Sequence, residues 1–292
     1  MLLKSDVYKR QNMTKSEKRA EQMAAFSRLL DVMDELREKC PWDREQTIES
    51  LRTLTIEETF ELSDAIMQND MPNICKELGD ILLHIVFYSK IAEENGQFDI
   101  VEVIDKLCSK LIYRHPHVYS TTEVENAGQV VQNWEALKTK EKDGNKTILS
   151  GVPQSMPSMI KAYRMQDKAR AVGFDWDKKE DVWNKVKEEI AELEVEMNGM
   201  DAVSRSNDAT QEQKDEAFAK AQSELGDLFF SLVNAARLYK LEPDTALEST
   251  NKKFRNRFTY LEEQTIRKGR SLKDMTLEEM DAIWDEAKRK GL

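Results

Sequence analysis

The same acidic signature occurs twice in this chain, and a repeat of that kind constrains the architecture more than any other feature. Glu57-Glu58-Thr59-Phe60-Glu61 is followed by Glu77-Leu78-Gly79-Asp80, and Glu188-Glu189-Ile190-Ala191-Glu192 by Glu224-Leu225-Gly226-Asp227. Residues three apart on a helix share a face, which pairs Glu58 with Glu61 and Glu77 with Asp80. A turn centred near residues 70 and 71 leaves Glu61 and Asp80 about equally far from it, so an antiparallel hairpin brings four carboxylates to one point. Glu189, Glu192, Glu224 and Asp227 repeat the geometry. Asp80 runs into Ile81-Leu82-Leu83 and Asp227 into Leu228-Phe229-Phe230, so the acids stand at the edge of a core-facing stripe. Packing several carboxylates there without a cation costs several kcal/mol per ion. All-oxygen ligands suit Mg²⁺ or Mn²⁺ rather than zinc. A single Glu-Glu-x-x-Glu reads as a solvated helix face; two copies, each leading to Glu-Leu-Gly-Asp and an apolar run, read as a metal site that points to a phosphorylated substrate.

The rest of the chain reads as an all-α fold with two tandem helical-bundle domains. It has 292 residues, 34% of them charged, with only 10 Gly and 6 Pro, which favours long helices with solvated outer faces. Residues 1–18 are expected to be a disordered tail, 19–120 the first domain, 121–156 a connecting helix and linker, and 157–292 the second domain. Helices are expected over Arg19–Lys39, with Phe26, Leu29, Leu30, Met33 and Leu36 on one stripe, then Ile48–Met67, Ile74–Glu94 and Ile100–Arg114. Cys40-Pro41-Trp42-Asp43 interrupts the first, because proline cannot continue a helix. Glu123–Lys142 forms a further helix, Asp143-Gly144-Asn145 a flexible boundary, and Ser158–Ala171 opens the second half. There, Gly173-Phe174-Asp175-Trp176-Asp177 stands where the Cys-Pro-Trp-Asp turn stood. Glu61 and Glu77 are 16 residues apart but Glu192 and Glu224 are 32 apart, and the polar stretch Asn198–Asp208 reads as a surface insertion.

A net charge of −11 with no long basic run argues against a nucleic-acid polymer as partner. No apolar run is long enough to span a bilayer and no signal-peptide core is legible. Cys40, Cys75 and Cys108 are widely spaced and read as free thiols of a reducing compartment, so a cytoplasmic location is expected. Lys253 and Arg257, four apart on one helix face, follow Asp227 by 26 and 30 residues, and Lys106 and Lys110 follow Asp80 at the same offsets. Cations in register with an acidic metal site are what a triphosphate needs. Lys220, one turn before Glu224, could join them. His115 and His117 read as loop residues and His84 as a core residue. The five tryptophans read mainly as core or packing residues, with Trp284 the one considered for base stacking. A ferritin-like di-iron bundle wants Glu-x-x-His; Glu58 and Glu189 are followed at the third position by Glu.

Glu-Glu-x-x-Glu on one helix and Glu-Leu-Gly-Asp on the next resemble the MazG family of all-α nucleoside triphosphate pyrophosphohydrolases. So do the tandem arrangement, Cys40-Pro41-Trp42-Asp43, Arg114-His115-Pro116-His117-Val118 and Gly173-Phe174-Asp175-Trp176. The likeness runs from about Phe26 to Leu292. It implies Mg²⁺-dependent hydrolysis of nucleoside triphosphates to monophosphate and pyrophosphate by a helical-bundle homodimer. It implies Glu189, Glu192, Glu224 and Asp227 as metal ligands, Lys220, Lys253 and Arg257 as phosphate contacts, and Trp284 as a nucleotide contact. In the first half Glu58, Glu61, Glu77 and Asp80 match the ligands, and Lys106 and Lys110 the cations. Glu188 or Glu57, next to the ligands, is expected to orient or deprotonate the attacking water. A non-catalytic nucleotide-binding or protein-interaction module is the alternative for one of the two halves.

Overall fold

A computed structural model describes residues 13–141, 147–176, 178–267 and 269–292, and among them all regular structure is helical. The expected boundary Asp143-Gly144-Asn145, Asp177 of the second turn motif and residues 1–12 lie outside the described residues. The chain divides between Thr122 and Glu123 into two compact units, each organised around one long antiparallel helix pair. No described helix is long and apolar enough to cross a membrane.

In the first unit α1 spans Lys15–Lys39, α2 Pro41–Glu45, α3 Ile48–Met67, α4 Met71–Glu94, α5 Ile100–Arg114 and α6 Pro116–Tyr119. Helix α1 starts inside the stretch 1–18 expected to be disordered. The reason is a capping box: Thr14 Oγ1 accepts from Glu17 N, and Glu17 accepts from Thr14 N at 2.7 Å. Helix α4 also starts early, at Met71 rather than Ile74, because Pro72 sits in the first turn, where its missing N–H costs nothing. The turn is therefore only Gln68–Asp70, with Asn69 at φ 53° and Asp70 capping Asn73 N.

Met33, Leu51, Val86, Phe87 and Ile91 form the core of this unit, with Phe26, Leu29, Leu30, Leu54, Leu83 and Tyr88 packed around it. Arg37 anchors the turn after α1. Its guanidinium lies 5.6 Å from the Phe87 ring centroid, pairs with Glu94, and donates to the carbonyls of Asp43 and Gln46. The Cys-Pro-Trp-Asp segment is thus held to the end of α4 by one side chain.

In the second unit α7 spans Ala127–Lys140, α8 Ser158–Ala171, α9 Lys179–Arg205, α10 Gln211–Leu238, α11 Pro243–Arg267 and α12 Leu277–Arg289. The stretch Asn198–Asp208 is not the surface insertion expected. Helix α9 continues through it to Arg205, α10 begins at Gln211, and only residues 206–210 form the connection. Leu193, Met200 and Val203 are partly shielded at helical spacing, as are Ala217 and Ala221 on α10, so the extra residues build two more helical arms. Thr210 starts the second arm with a capping box to Gln213. The core here is smaller: Val182, Val186 and Ala235, with Leu228 and Leu238 against them.

Met33 is 1% exposed whereas its neighbour Val32 is 54% exposed. Met33→Ala is expected to destabilise the first unit by roughly 2–5 kcal/mol and Val32→Ala to have little effect, checked by thermal unfolding followed by far-ultraviolet circular dichroism.

Candidate active site

The short turn sets the register of the acids. Centred on Asn69, it places Glu61 level with Glu77 and Glu58 level with Asp80, instead of Glu61 with Asp80 as expected. The longer hairpin turns about Asp208 and likewise sets Glu192 opposite Glu224 and Glu189 opposite Asp227. The added residues are shared equally between the arms, so the second cluster keeps the geometry of the first.

Carboxylate oxygens of Glu58, Glu61 and Glu77 lie within 4.8 Å of one another, and so do those of Glu189, Glu192 and Glu224. Glu77 is 5% exposed and Glu189 6% exposed, so each cluster contains one buried carboxylate. Glu58 is pushed above the ordinary carboxylate range by burial first, then by the negative charges of Asp80, Glu61 and Glu77. Glu224 is raised in the same way, by desolvation and then by Glu192, Asp227, Glu189 and Glu196.

Two lysines that the sequence reading passed over meet this charge. Lys76 Nζ lies 3.0 Å from Glu77, 3.7 Å from Glu61 and 3.7 Å from Asp80, so it bridges both helices of the first hairpin. Lys185 Nζ lies 2.8 Å from both Glu188 and Glu189, and these partners raise its pKa. An ammonium group at each cluster marks where positive charge is favoured. Close, all-oxygen donors, partly buried and electrostatically strained, are a chemical fit for a hard divalent cation. Lys76 has no cationic counterpart in the second repeat, where Ser223 holds its position, and Lys185 none in the first, where Leu54 does. This is why neither emerged from comparing the repeats.

The other candidates are less concentrated. Glu57 and Glu188 are exposed on the flank beside the clustered acids, with Glu188 held by Lys185. Lys220 pairs with Glu216 at 2.9 Å and lines a groove on the extended arms. Arg257 lies 5.9 Å from the Trp284 ring centroid and donates from Nε to Leu292 O, while Trp284 packs 5.2 Å from Phe254. Among the described residues no ion pair joins Lys253 or Arg257 to the acids. In the first unit Lys106 pairs with Glu102 at 2.6 Å, one turn back on α5, and Lys110 is exposed. His115 caps α6 and His117 lies within it, with ring centroids 5.6 Å apart, so the stretch read as a loop carries a short helix started by Pro116. His84 is buried, with Nδ1 2.7 Å from Thr55 Oγ1, and burial lowers its pKa.

Trp176 is not the packing residue expected. With Phe174 it lines a cavity of about 620 Å³ whose wall also includes Glu189 and Asp227. Among the lining residues Asp175 forms a partly buried ion pair with Arg237, which Asn234 Oδ1 supports at 2.8 Å. The segment Gly173-Phe174-Asp175-Trp176 is therefore tied to α10 by an arginine, much as Arg37 ties the Cys-Pro-Trp-Asp turn.

Raised carboxyl pKa values mean that protons compete with a metal at higher pH than for a free side chain. A cation held at these clusters would need Glu58 and Glu224 deprotonated, so Mn²⁺ affinity measured by titration calorimetry is expected to fall as pH is lowered from neutral through the carboxylate range. The metal-free protein should lose less stability over that interval than the metal-loaded one.

The MazG nucleotide pyrophosphohydrolase domain family matches residues 46–119, which contain the first acidic cluster. The nucleoside triphosphate pyrophosphohydrolase of Escherichia coli K12 is 36% identical over 275 residues, covering 92% of this chain and 99% of that protein. The nucleoside triphosphate pyrophosphohydrolase/pyrophosphatase MazG of Thermotoga maritima is 38% identical over 90% of this chain and 95% of its own length. YabN of Bacillus subtilis, an uncharacterized protein, is 41% identical over 90% of this chain, which spans only 51% of YabN. With both acidic hairpins inside near full-length matches to two of these relatives, the chain belongs to the MazG family.

Proposed function

We propose that this protein hydrolyses nucleoside triphosphates to nucleoside monophosphate and pyrophosphate with Mg²⁺, which Mn²⁺ can replace. The carrying observation is the convergence of Glu189, Glu192 and Glu224 within 4.8 Å, in a chain similar end to end to nucleoside triphosphate pyrophosphohydrolases. Glu189, Glu192, Glu224 and Asp227 would hold the metal, which supplies positive charge against phosphate oxygens and acidifies water. Glu188 orients the attacking water and takes its proton. Lys220, Lys253 and Arg257 bind phosphate oxygens and offset charge developing on pyrophosphate, and Trp284 contacts the nucleotide. Lys185, already against Glu188 and Glu189, is a further cation at the same place. In the first unit Glu58, Glu61, Glu77 and Asp80 are the matching ligands, with Glu57 as base and Lys106 and Lys110 as cations.

The active form we infer is a homodimer. Val101, Ile104, Leu107 and Leu111 leave an apolar stripe on α5 exposed, and Phe254 and Phe258 do so on α11; such stripes are ordinarily covered by a partner. A second copy could bring Lys253 and Arg257 to the acids of the first. Light scattering should give a mass about twice that of one chain, and a monomer at assay concentration would exclude the shared site. We place the enzyme in the cytoplasm, acting in removal of unwanted nucleotides or in control of nucleotide pools.

A second reading concerns the first unit, which would bind without catalysing. Lys76 spans its carboxylates from both helices, whereas Lys185 touches only α9. A cation fixed between the helices competes with a metal for the same oxygens. Glu192→Gln is expected to lower turnover at least about 100-fold, beyond the usual cost of losing an outer partner of a metal ligand. Glu61→Gln is expected to leave most pyrophosphate release intact. Full activity in Glu192→Gln would remove the ligand assignment, and equal losses in the two variants would remove the second reading.

A further inference from the structure

We infer that Lys76 fills in the first hairpin the place a divalent cation would take in the second, so that the first unit clamps its acids with its own ammonium group and only the second waits for metal; this rests on the metal-site reading above. The two hairpins are tied differently. In the first, polar ties cross from α3 to α4 at two levels. At the acids Lys76 Nζ lies 3.0 and 3.1 Å from the two carboxylate oxygens of Glu77, and 3.7 Å from both Asp80 and Glu61, the latter on the facing helix. Farther from the turn, Thr55 Oγ1 on α3 meets His84 Nδ1 at 2.7 Å and Tyr88 Oη at 2.6 Å, both on α4. At positions equivalent by distance from the acids, the second hairpin carries Ser223 for Lys76, Val186 for Thr55, and Ser231 and Ala235 for His84 and Tyr88. Lys185 reaches only Glu188 and Glu189 of its own helix, and among the described residues no ion pair joins α9 to α10. The second hairpin nevertheless gathers the same cluster of three glutamates, with Glu189 buried. Carboxylates that face one another across two helices with no positive group between them suit a hard divalent ion.

The lysine and a metal draw on the same oxygens. A divalent ion placed within a few ångströms of the ammonium is repelled by it, so the ion enters as the lysine leaves. The hydrogen bond to Glu77 and the charges of Asp80 and Glu61 raise the pKa of Lys76, and the group stays charged through the neutral range. Its side chain is 61% exposed, and exposed ion pairs give way readily. Lys76 therefore lowers the metal affinity of the first cluster by a modest factor rather than sealing it. Two clusters of the same acids answer differently to metal concentration, and the difference lies in one residue of each repeat.

The test reads Mn²⁺ binding by titration calorimetry on the full chain without nucleotide, with Glu192→Gln silencing the second cluster or Glu61→Gln the first. With the second silenced, Lys76→Met is expected to raise Mn²⁺ affinity about fivefold or more, and Lys76→Arg to leave it as it is with lysine. With the first silenced, Ser223→Lys is expected to lower Mn²⁺ affinity by a similar factor. Lys76 and Ser223 are both exposed, so neither substitution burdens a core. In the unsubstituted chain, Mn²⁺ is expected to slow amide hydrogen exchange around the acids of α9 and α10 and to leave α3 and α4 unchanged. Unchanged affinity in Lys76→Met or in Ser223→Lys, an Arg variant that binds as tightly as the Met variant, or equal protection of both hairpins overturns the assignment. Binding in the second unit beside a silent Lys76→Met removes the role of the lysine and leaves the metal site standing; no Mn²⁺ binding to either unit in any variant removes both.

Discussion

Like charges brought together between two helices are the constraint on which the rest of the molecule turns. Each hairpin brings three glutamates to a common point, Glu58, Glu61 and Glu77 in the first and Glu189, Glu192 and Glu224 in the second, and in each one carboxylate is buried. Mutual repulsion and lost hydration oppose that arrangement. The hairpins oppose it through Lys76 and Lys185, which supply local positive charge, and through buried residues farther along the same helices, Val86 and Phe87 on α4 and Val233 and Ala235 on α10.

Duplication has preserved this framework while changing what surrounds it. The first hairpin closes on leucine, phenylalanine and methionine, with a hydrogen-bonded Thr55–His84–Tyr88 set beside its acids. The second leaves space next to its acids and lines it with amide groups, Trp176 and a partly buried Arg237–Asp175 pair. The lysines differ as well, one bridging two helices and the other lying along one. Two copies of one acidic geometry thus have unlike surroundings, and the difference comes from core positions rather than from the carboxylates.

Much of the fold was legible in the chain. The bounds of α3, α5 and α8 followed from proline, glycine and capping residues together with helical spacing of apolar positions. The departures were local. Polar composition around Asn198–Asp208 suggested a loop, yet Met200, Val203, Ala217 and Ala221 kept a helical stripe that two packed arms could bury. The start of α4 depended on Pro72 being tolerated in a first turn. That three-residue difference moved the hairpin centre and changed which acids face one another.

From the sequence alone came the helical class, the duplication, the acids and the family to which they belong, because each is written in residue type and near-neighbour spacing. Position relative to distant segments is not written that way. Only the folded units show that Lys76 and Lys185 lie against the acids, that Trp176 and Gln166 border a cavity instead of filling a core, and that the Arg257 guanidinium lies over the Trp284 ring. Those relations depend on how helices separated by tens of residues pack, and packing is decided by the summed shape and charge of both surfaces rather than by any local pattern.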